Sequence, residues 1–310
     1  LSGGCFRDSG GTCVGAGSGT GGATGIATYV VAASDSTNAA YADYQANGTN
    51  DQDTIETAMA ALPAAGGTIY LLEGTYSVND EINFNLRGNV EIIGQGDGTI
   101  LEVTATTTTW SVLDMGTTRN YGNIRLAHFT IDGALARTAG GTISGITAGC
   151  CSGPSTTTVE YLNIQNMSSN AMWSNGTVNH WMIRNNQISS SSGGISGTWA
   201  SSTISGNVLN GVGGFALGAG ADSVIINNYV DGQGSAPFGA SGRTGTRIIN
   251  NTFLNTGTGI ELFYPDMVVD GNRFINTVSY GIRTNSSGLN AVISNNQMKN
   301  LGFDSIAIID

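Results

Sequence analysis

The sequence predicts an all-β protein, a right-handed parallel β-helix with a short N-terminal capping helix. Three observations carry this prediction: a polar motif that returns about every 22 residues, apolar positions locked to it, and Gly or Asn wherever the chain must turn. The motif recurs as "MIRNNQI" (182–188), "TISGNVL" (203–209), "VIINNYV" (224–230), "RIINNTF" (247–253), "VVDGNRF" (268–274) and "VISNNQM" (292–298). With the second polar residue as register zero, the set is Asn186, Asn207, Asn228, Asn251, Asn272 and Asn296, in steps of 21, 21, 23, 21 and 24. A repeat of that length, built of short apolar runs without helical spacing, marks a stacked architecture.

Each rung has the same parts. Three residues before zero stand Ile183, Ile204, Ile225, Ile248, Val269 and Ile293; two after it stand Ile188, Leu209, Val230, Phe253, Phe274 and Met298. These are two inward columns. The position just before zero holds only Asn or Gly, the residues that tolerate positive φ, so a sharp corner is expected there. The asparagine at zero is expected to point inward and bond backbone amides of neighbouring turns, because a buried amide must be satisfied. A Gly or small residue then opens another short strand, as in "GGISG" (193), "GFALG" (214), "GIELF" (259), "GIRTN" (281) and "SIAII" (305). Rungs are regular over about 158–310 and less so before that.

Earlier in the chain, residues 1–26 are Gly-rich and read as a Cys-bearing arm, leaving 27–310 as one β-helix domain. "TYVVAA" (28–33) reads as a strand. Ile55, Ala58, Met59 and Leu62 share one face of a short helix over about 53–62, with Asp53 and Glu56 as a capping box and Pro63 and Gly66–Gly67 as its end. "TIYLLEGTYSV" then opens the strands. This helix–GG–strand–EGTY entry resembles the N-terminal module of the pectate-lyase-like right-handed β-helix superfamily, which includes pectin and alginate lyases, alginate epimerases, phage tailspikes and surface proteins. With the rungs, the resemblance covers about 28–310. It implies that the helix caps the solenoid's N-terminal end. The other end stops at "SIAIID", in mid-rung, so a continuing chain or another subunit is expected to cover it.

Composition narrows the function. Charged residues are 11% of the chain, against a typical ~25%. Lys299 is the single lysine, and the net charge of −11 opposes nucleic-acid binding. No apolar run reaches the ~18–20 residues of a membrane span, and Leu1 opens no signal peptide. Cys5 and Cys13 are expected to close a disulfide loop outside the cell, while Cys150 and Cys151 leave several pairings open. No His neighbours either pair, so neither metal nor cofactor is expected. The sequons at Asn47, Asn166, Asn175, Asn250 and Asn285 are no more than chance supplies in a chain this rich in Asn, Ser and Thr.

The enzymes of the resembled superfamily use acid clusters beside an arginine base, paired Asp with Gly-His-Gly, or a Tyr-Gly-x-Asp-x-His-type motif. "FYPDM" (263–267) is the nearest echo and lacks the histidine. His128 is placed in a strand beside Asp132, and His180 stands beside Trp181. Glu261 and Arg283 share a position on consecutive rungs and are expected to form a surface ion pair. The catalytic candidates are Glu261 with Asp266 or Asp270, as a glycosidase wants two carboxylates ~5–9.5 Å apart. Trp173, Trp199, Tyr264 and Tyr280 are candidates for stacking on sugars. Val224, Ile226, Ile249, Val268 and Val292 are expected to form an apolar outer patch that contacts another subunit. The first functional expectation is therefore a non-catalytic extracellular subunit that assembles with copies of itself into a filament, sheath or spike on a cell or virion surface. The alternatives are a polysaccharide lyase or glycoside hydrolase, and a glycan-binding adhesin.

Overall fold

The computed structural model describes residues 6–7, 13–14, 27–84, 88–105, 109–116, 122–134, 142–149, 156–233, 238–285 and 290–309. Cys5, Cys150, Cys151 and nearly all of the N-terminal arm lie outside the described residues. Cys13 opens the strand Cys13–Val14, which pairs antiparallel with Phe6–Arg7.

The rest is a parallel β-helix of three sheets. Sheet I has twelve strands, from Tyr44–Gln45 at one edge to Val292–Ser294 at the other; sheet II runs in ten from Gly74–Val78 to Gln297–Lys299, and sheet III in ten from Ile82–Asn83 to Ile306–Ile309. One rung takes one strand from each, as in Arg247–Ile249, Thr252–Leu254 and Thr258–Leu262. Side chains alternate along a strand, so a three-residue strand aims only its middle residue inward. Ile183, Ile204, Ile225, Ile248 and Val269 form that column in sheet I, and Ile188, Leu209, Val230, Phe253 and Phe274 form it in sheet II.

Three corners close each rung, and each needs left-handed backbone. After sheet I stand Asn185 (φ 56°), Gly206 (64°), Asn227 (56°), Asn250 (53°), Gly271 (67°) and Asn295 (53°). The same column begins with His128 (φ 61°) and Tyr161 (φ 53°). His128 is thus at a corner, between the strands Ile124–Ala127 and Thr130–Asp132, and not in a strand as expected. Its ring stacks on Tyr161 at 5.0 Å. After sheet II the corner residues include Asn166, Ser190, Gly211, Asn255, Asn276 and Asn300; before sheet I they include His180, Ser201, Asp222, Gly245, Asp266 and Asn290.

Directly after the first corner the asparagines at register zero turn inward. Asn228 shows the pattern. Its Nδ2 donates to Asn251 Oδ1 (2.9 Å), Ile204 O (2.9 Å) and Ile226 O (3.1 Å). Its Oδ1 accepts Asn207 N and Asn207 Nδ2, both at 2.9 Å. The same bonds link Asn186, Asn207, Asn251, Asn272 and Asn296 into one column. The amides thereby satisfy the backbone groups that a corner takes out of the sheets.

A column of small residues enters sheet III: Gly145, Ala171, Gly194, Ala216, Gly239, Gly259 and Gly281. A Cβ on Gly239 would strike the ring of Phe253, and one on Gly259 the ring of Phe274. Small residues at these positions make room for the large inward side chains of sheet II, which is why the motif carries Gly before each third strand.

At the N-terminal end the helix Asp51–Ala61 buries Ile55, Ala58 and Met59. It starts two residues earlier than expected, and the capping box does not form. Glu56 Oε1 instead accepts Asn83 N (2.8 Å), and Asn50 precedes the helix without a side-chain cap bond. The buried Asp51 holds the entry, accepting Gly48 N (2.9 Å) and Ser77 N (2.8 Å). In "EGTY", Glu73 Oε1 accepts from Thr37 N (3.0 Å) and Asn38 Nδ2 (2.9 Å), and the buried Tyr76 hydroxyl donates to Val31 O (2.8 Å). This segment therefore fastens the loop before the helix to the first rung.

Candidate functional site

The outward face of sheet III carries one continuous row of aligned residues: Asn83, Asp114, Thr147, Trp173, Ser196, Gly218, Ser241, Glu261 and Arg283. Successive members are one strand spacing apart, about 4.8 Å. Trp173 is 37% exposed and stands where the longest strands, Asn170–Asn179 and Gly193–Ala200, shift register between Trp173 and Thr177. A bulge of this kind re-aims a side chain. Beyond Trp173 the row turns small, through Ser196, Gly218 and Ser241, before it reaches Glu261. A stretch of small residues roughly 19 Å long, four strand steps, therefore separates Trp173 from Glu261.

On the other side of Trp173, two steps away, lies Asp114. Its partner is Glu81, an outward residue of the adjacent strand region, set diagonally to it because Asp114 pairs with Asn83. Diagonal neighbours lie about 7–8 Å apart, with their Cβ atoms somewhat closer. Both side chains are partly buried. Burial pushes the Asp114 carboxyl up, against the pull of the Gly116 N–H. Burial also pushes Glu81 up, and the nearby Asp114 charge pushes it further. Both carboxyls therefore hold their protons to higher pH than free side chains do. The connections around this pair are the long ones. Ten residues follow Asp132, nine follow Asp114 and eight follow Ala148, where three follow Leu254 and five follow Leu262. Long connections on a rigid scaffold are where binding and catalytic groups concentrate. Nothing in the sequence pointed to this pair.

The three acids named from sequence do not share a face. Glu261 is on the outward row of sheet III, Asp270 is on the outer face of sheet I, and Asp266 is a corner residue with φ 59° that accepts Asn290 Nδ2 (3.4 Å). Glu261 does face Arg283, with Arg283 Nη1 3.3 Å from Oε1, but this is not a surface pair: Glu261 is only 5% exposed. Burial pushes its carboxyl up and Arg283 only partly offsets this. Trp199 is core, fully buried against Trp181 at 4.9 Å. Tyr264 is exposed under the Arg243 guanidinium (5.4 Å), and Tyr280 packs on Phe303 (5.7 Å).

A different carboxylate does a structural task. Glu160, 3% exposed on sheet I, accepts Arg125 Nε (2.8 Å) and Arg184 Nε (2.7 Å). Burial pushes Glu160 up, but the two guanidiniums outweigh it and hold the carboxyl below the usual glutamate range. A depressed folded pKa means that the contribution is full above the unfolded value and is lost as pH falls through the folded one. Glu160→Gln is therefore expected to remove part of the acid-induced loss of stability while lowering stability at neutral pH. Denaturant midpoints measured from neutral pH to acid check both signs.

Among the described residues, no group of three or more His, Cys, Asp and Glu side chains is placed to hold a metal ion. No helix among them is long and apolar enough to cross a membrane.

A stacked parallel solenoid with an acid- and aromatic-bearing outer face is thus the class of protein. The chain belongs to the right handed beta helix family, whose pattern matches residues 144–298, half of its length. A search of curated proteins by sequence finds no match. Among solved structures it is similar to the catalytic unit of a thermostable GH87 alpha-1,3-glucanase from Streptomyces thermodiastaticus (TM-score 0.56, 12% identity, 95% of this chain and 68% of that one). It is also similar to endo-xylogalacturonan hydrolase from Aspergillus tubingensis (TM-score 0.54, 12% identity, 89% of this chain and 95% of that one). A third is the enzymatically active domain of bacteriophage CBA120 tailspike protein 2 (TM-score 0.52, 14% identity, 78% of this chain), of which the chain spans 39%. At these identities the likeness is one of fold.

Proposed function

We propose that this protein is a polysaccharide-active enzyme of the glycoside hydrolase class, with Glu81 and Asp114 as its carboxylate pair. The observation that carries the reading is the diagonal placement of two half-buried acids on the outward face of sheet III, two rungs from an exposed tryptophan. Their expected separation falls within the ~5–9.5 Å that glycosidases use. Glu81, whose carboxyl is raised by burial and by the Asp114 charge, protonates the leaving glycosidic oxygen. Asp114 activates water or attacks the sugar carbon. Trp173 supplies an apolar ring face for a sugar, and the small residues beyond it, Ser196, Gly218 and Ser241, leave room for the chain to lie along the solenoid axis. The setting is the outside of a cell or virion, where such polymers are met. Solved structures of similar fold are named as a glucanase, a xylogalacturonan hydrolase and a tailspike, which supports this reading over a purely structural one. The filament, sheath or spike subunit keeps one observation in its favour, the apolar outer face of sheet I.

The test is release of reducing ends from a panel of neutral and acidic polysaccharides. Wild type is expected to release them. Glu81→Gln and Asp114→Asn are each expected to lower the rate by about 10²–10⁴, the usual worth of a positioned acid or base. Glu261→Gln is expected to leave turnover in place. Activity should fall as pH rises through the Glu81 pKa, which lies above the usual glutamate range. Unsaturated ends would make the protein a lyase instead. Binding lost on Trp173→Ala, with no turnover on any glycan, would make it an adhesin. Turnover lost only in Glu261→Gln would move the site to the Arg283 end of the row.

A further inference from the structure

Sheet I presents a second outer face that the glycan reading does not use. On four neighbouring strands, Val224, Arg247, Val268 and Val292 align in one row, and Ile226, Ile249, Asp270 and Ser294 in the next. The apolar members form a continuous patch. Val292 is 54% exposed, and Met182, further along the first row, is 40% exposed. Two charges interrupt the patch, set one rung and two residues apart. The Arg247 guanidinium is exposed and makes no hydrogen bond or ion pair among the described residues. Asp270 lies diagonally across from it. Its Oδ1 accepts Ser294 Oγ (2.7 Å) and Asn295 Nδ2 (2.9 Å), leaving Oδ2 open to a further donor.

We propose that this face is a contact between two copies of the chain, related by a two-fold axis, with Arg247 of each copy against Asp270 of the other. A two-fold contact brings a patch onto itself, so it needs charges of opposite sign at exchangeable positions. Arg247 and Asp270 meet that requirement about a midpoint flanked by Ile249 and Val268. The same neutral sum argues against a polyanion, which needs a basic face, and against a charged lipid surface. In the contact, the valines and isoleucines supply the buried apolar centre. The two Arg–Asp pairs fix the register, as charge pairs do at interfaces. The outer face of sheet III, with Asp114 and Trp173, belongs to another sheet, so the dimer and the glycan site are independent proposals.

Sedimentation velocity on the full chain over a concentration series tests it, in ~0.15 M salt so that repulsion between two acidic copies is screened. Wild type is expected to dimerise reversibly. Arg247→Asp and Asp270→Arg are each expected to weaken the dimer about tenfold or more, and the double swap to recover most of the loss. Ile249→Lys is expected to leave monomer, with thermal melts showing that each variant folds. A wild type that stays monomeric throughout overturns the proposal. So does a dimer whose dissociation constant is the same in all four variants, or a double swap no better than either single one.

Discussion

Replacing Asn228 with Ala is expected to cost about 4 kcal/mol of stability, seen as a drop in urea midpoint with little change in slope. The figure follows from the groups the substitution strands. Asn207 N–H loses its acceptor, Asn207 Nδ2 keeps only Ile183 O, and Ile204 O loses the Asn228 amide donor, all inside the solenoid. Asn251 Oδ1 keeps only Asn228 N. A buried polar group left unmet costs about 1–3 kcal/mol, and relaxation of the corner recovers part of the sum. The neighbouring corner residue supplies the control. Asn227 holds φ 56°, and glycine takes that role at Gly206 and Gly271 in the same column. Asn227→Gly is therefore expected to change stability by only a few tenths of a kcal/mol, because glycine enters the left-handed region freely. Two adjacent asparagines would then differ tenfold in worth. Equal losses at both positions would mean that the amide column is a passive feature of the turn.

The first corner and the amide column were legible because two separate constraints fall on neighbouring residues. One position needs positive φ, the next needs a side chain that donates and accepts, and only a narrow set of residues meets both. The other two corners also need positive φ, and the position after it takes a small hydroxyl, such as Ser202, Ser223 or Thr246, which bonds neighbouring rungs but is a less distinctive residue than Asn. Ser190, Gly211 and Asn255 occupy one of these columns, and His180, Ser201, Asp222 and Asp266 the other. So mixed a column leaves no periodic mark, although "LNT" at 254–256 and "INT" at 275–277 do repeat the second corner. Asp266 shows the consequence: read alone, an acid in "FYPDM" suggests chemistry, while in the fold it occupies a turn position.

The candidate site was hidden for a different reason. Glu81 and Asp114 lie on the early rungs, where long connections after Val103, Asp114 and Asp132 break the repeat. Without a register there was no way to know that Asp114 stands beside Asn83, or that both sit on the row that leads to Trp173. The regular rungs were easy to read because their steps vary by no more than three residues. For the same reason they offered Glu261, an acid whose partner Arg283 was visible one period on, ahead of a pair with no period at all. Regularity reports the demands of stacking, and a site that must recognise a ligand departs from it.

The glycine column makes the stacking demand measurable. Gly259→Ala is expected to cost about 3 kcal/mol, at the upper end of what overpacking costs in a tight core. The added Cβ would meet both the carbonyl of Gly281 on the next rung and the ring of Phe274. The ring can yield by turning, but it already stacks on Phe253 at 5.4 Å, so its movement disturbs the rung before it as well. The backbone carbonyl cannot yield without stretching the ladder between Thr258–Leu262 and Ile282–Asn285. Trimming the ring therefore separates the two clashes. In a Gly259→Ala, Phe274→Leu double variant, the ring contact is gone and the carbonyl contact remains. The double variant is expected to be less damaged than the sum of the single ones, yet less stable than Phe274→Leu alone. Gly98 is the reference, since nothing lies within 4 Å of a Cβ there and its φ is outside the left-handed range. Gly98→Ala is expected to be neutral or slightly stabilising through the unfolded chain. If Gly259→Ala proved as mild as Gly98→Ala, the small residues before each third strand would be turn formers, and the large side chains of sheet II would owe them nothing.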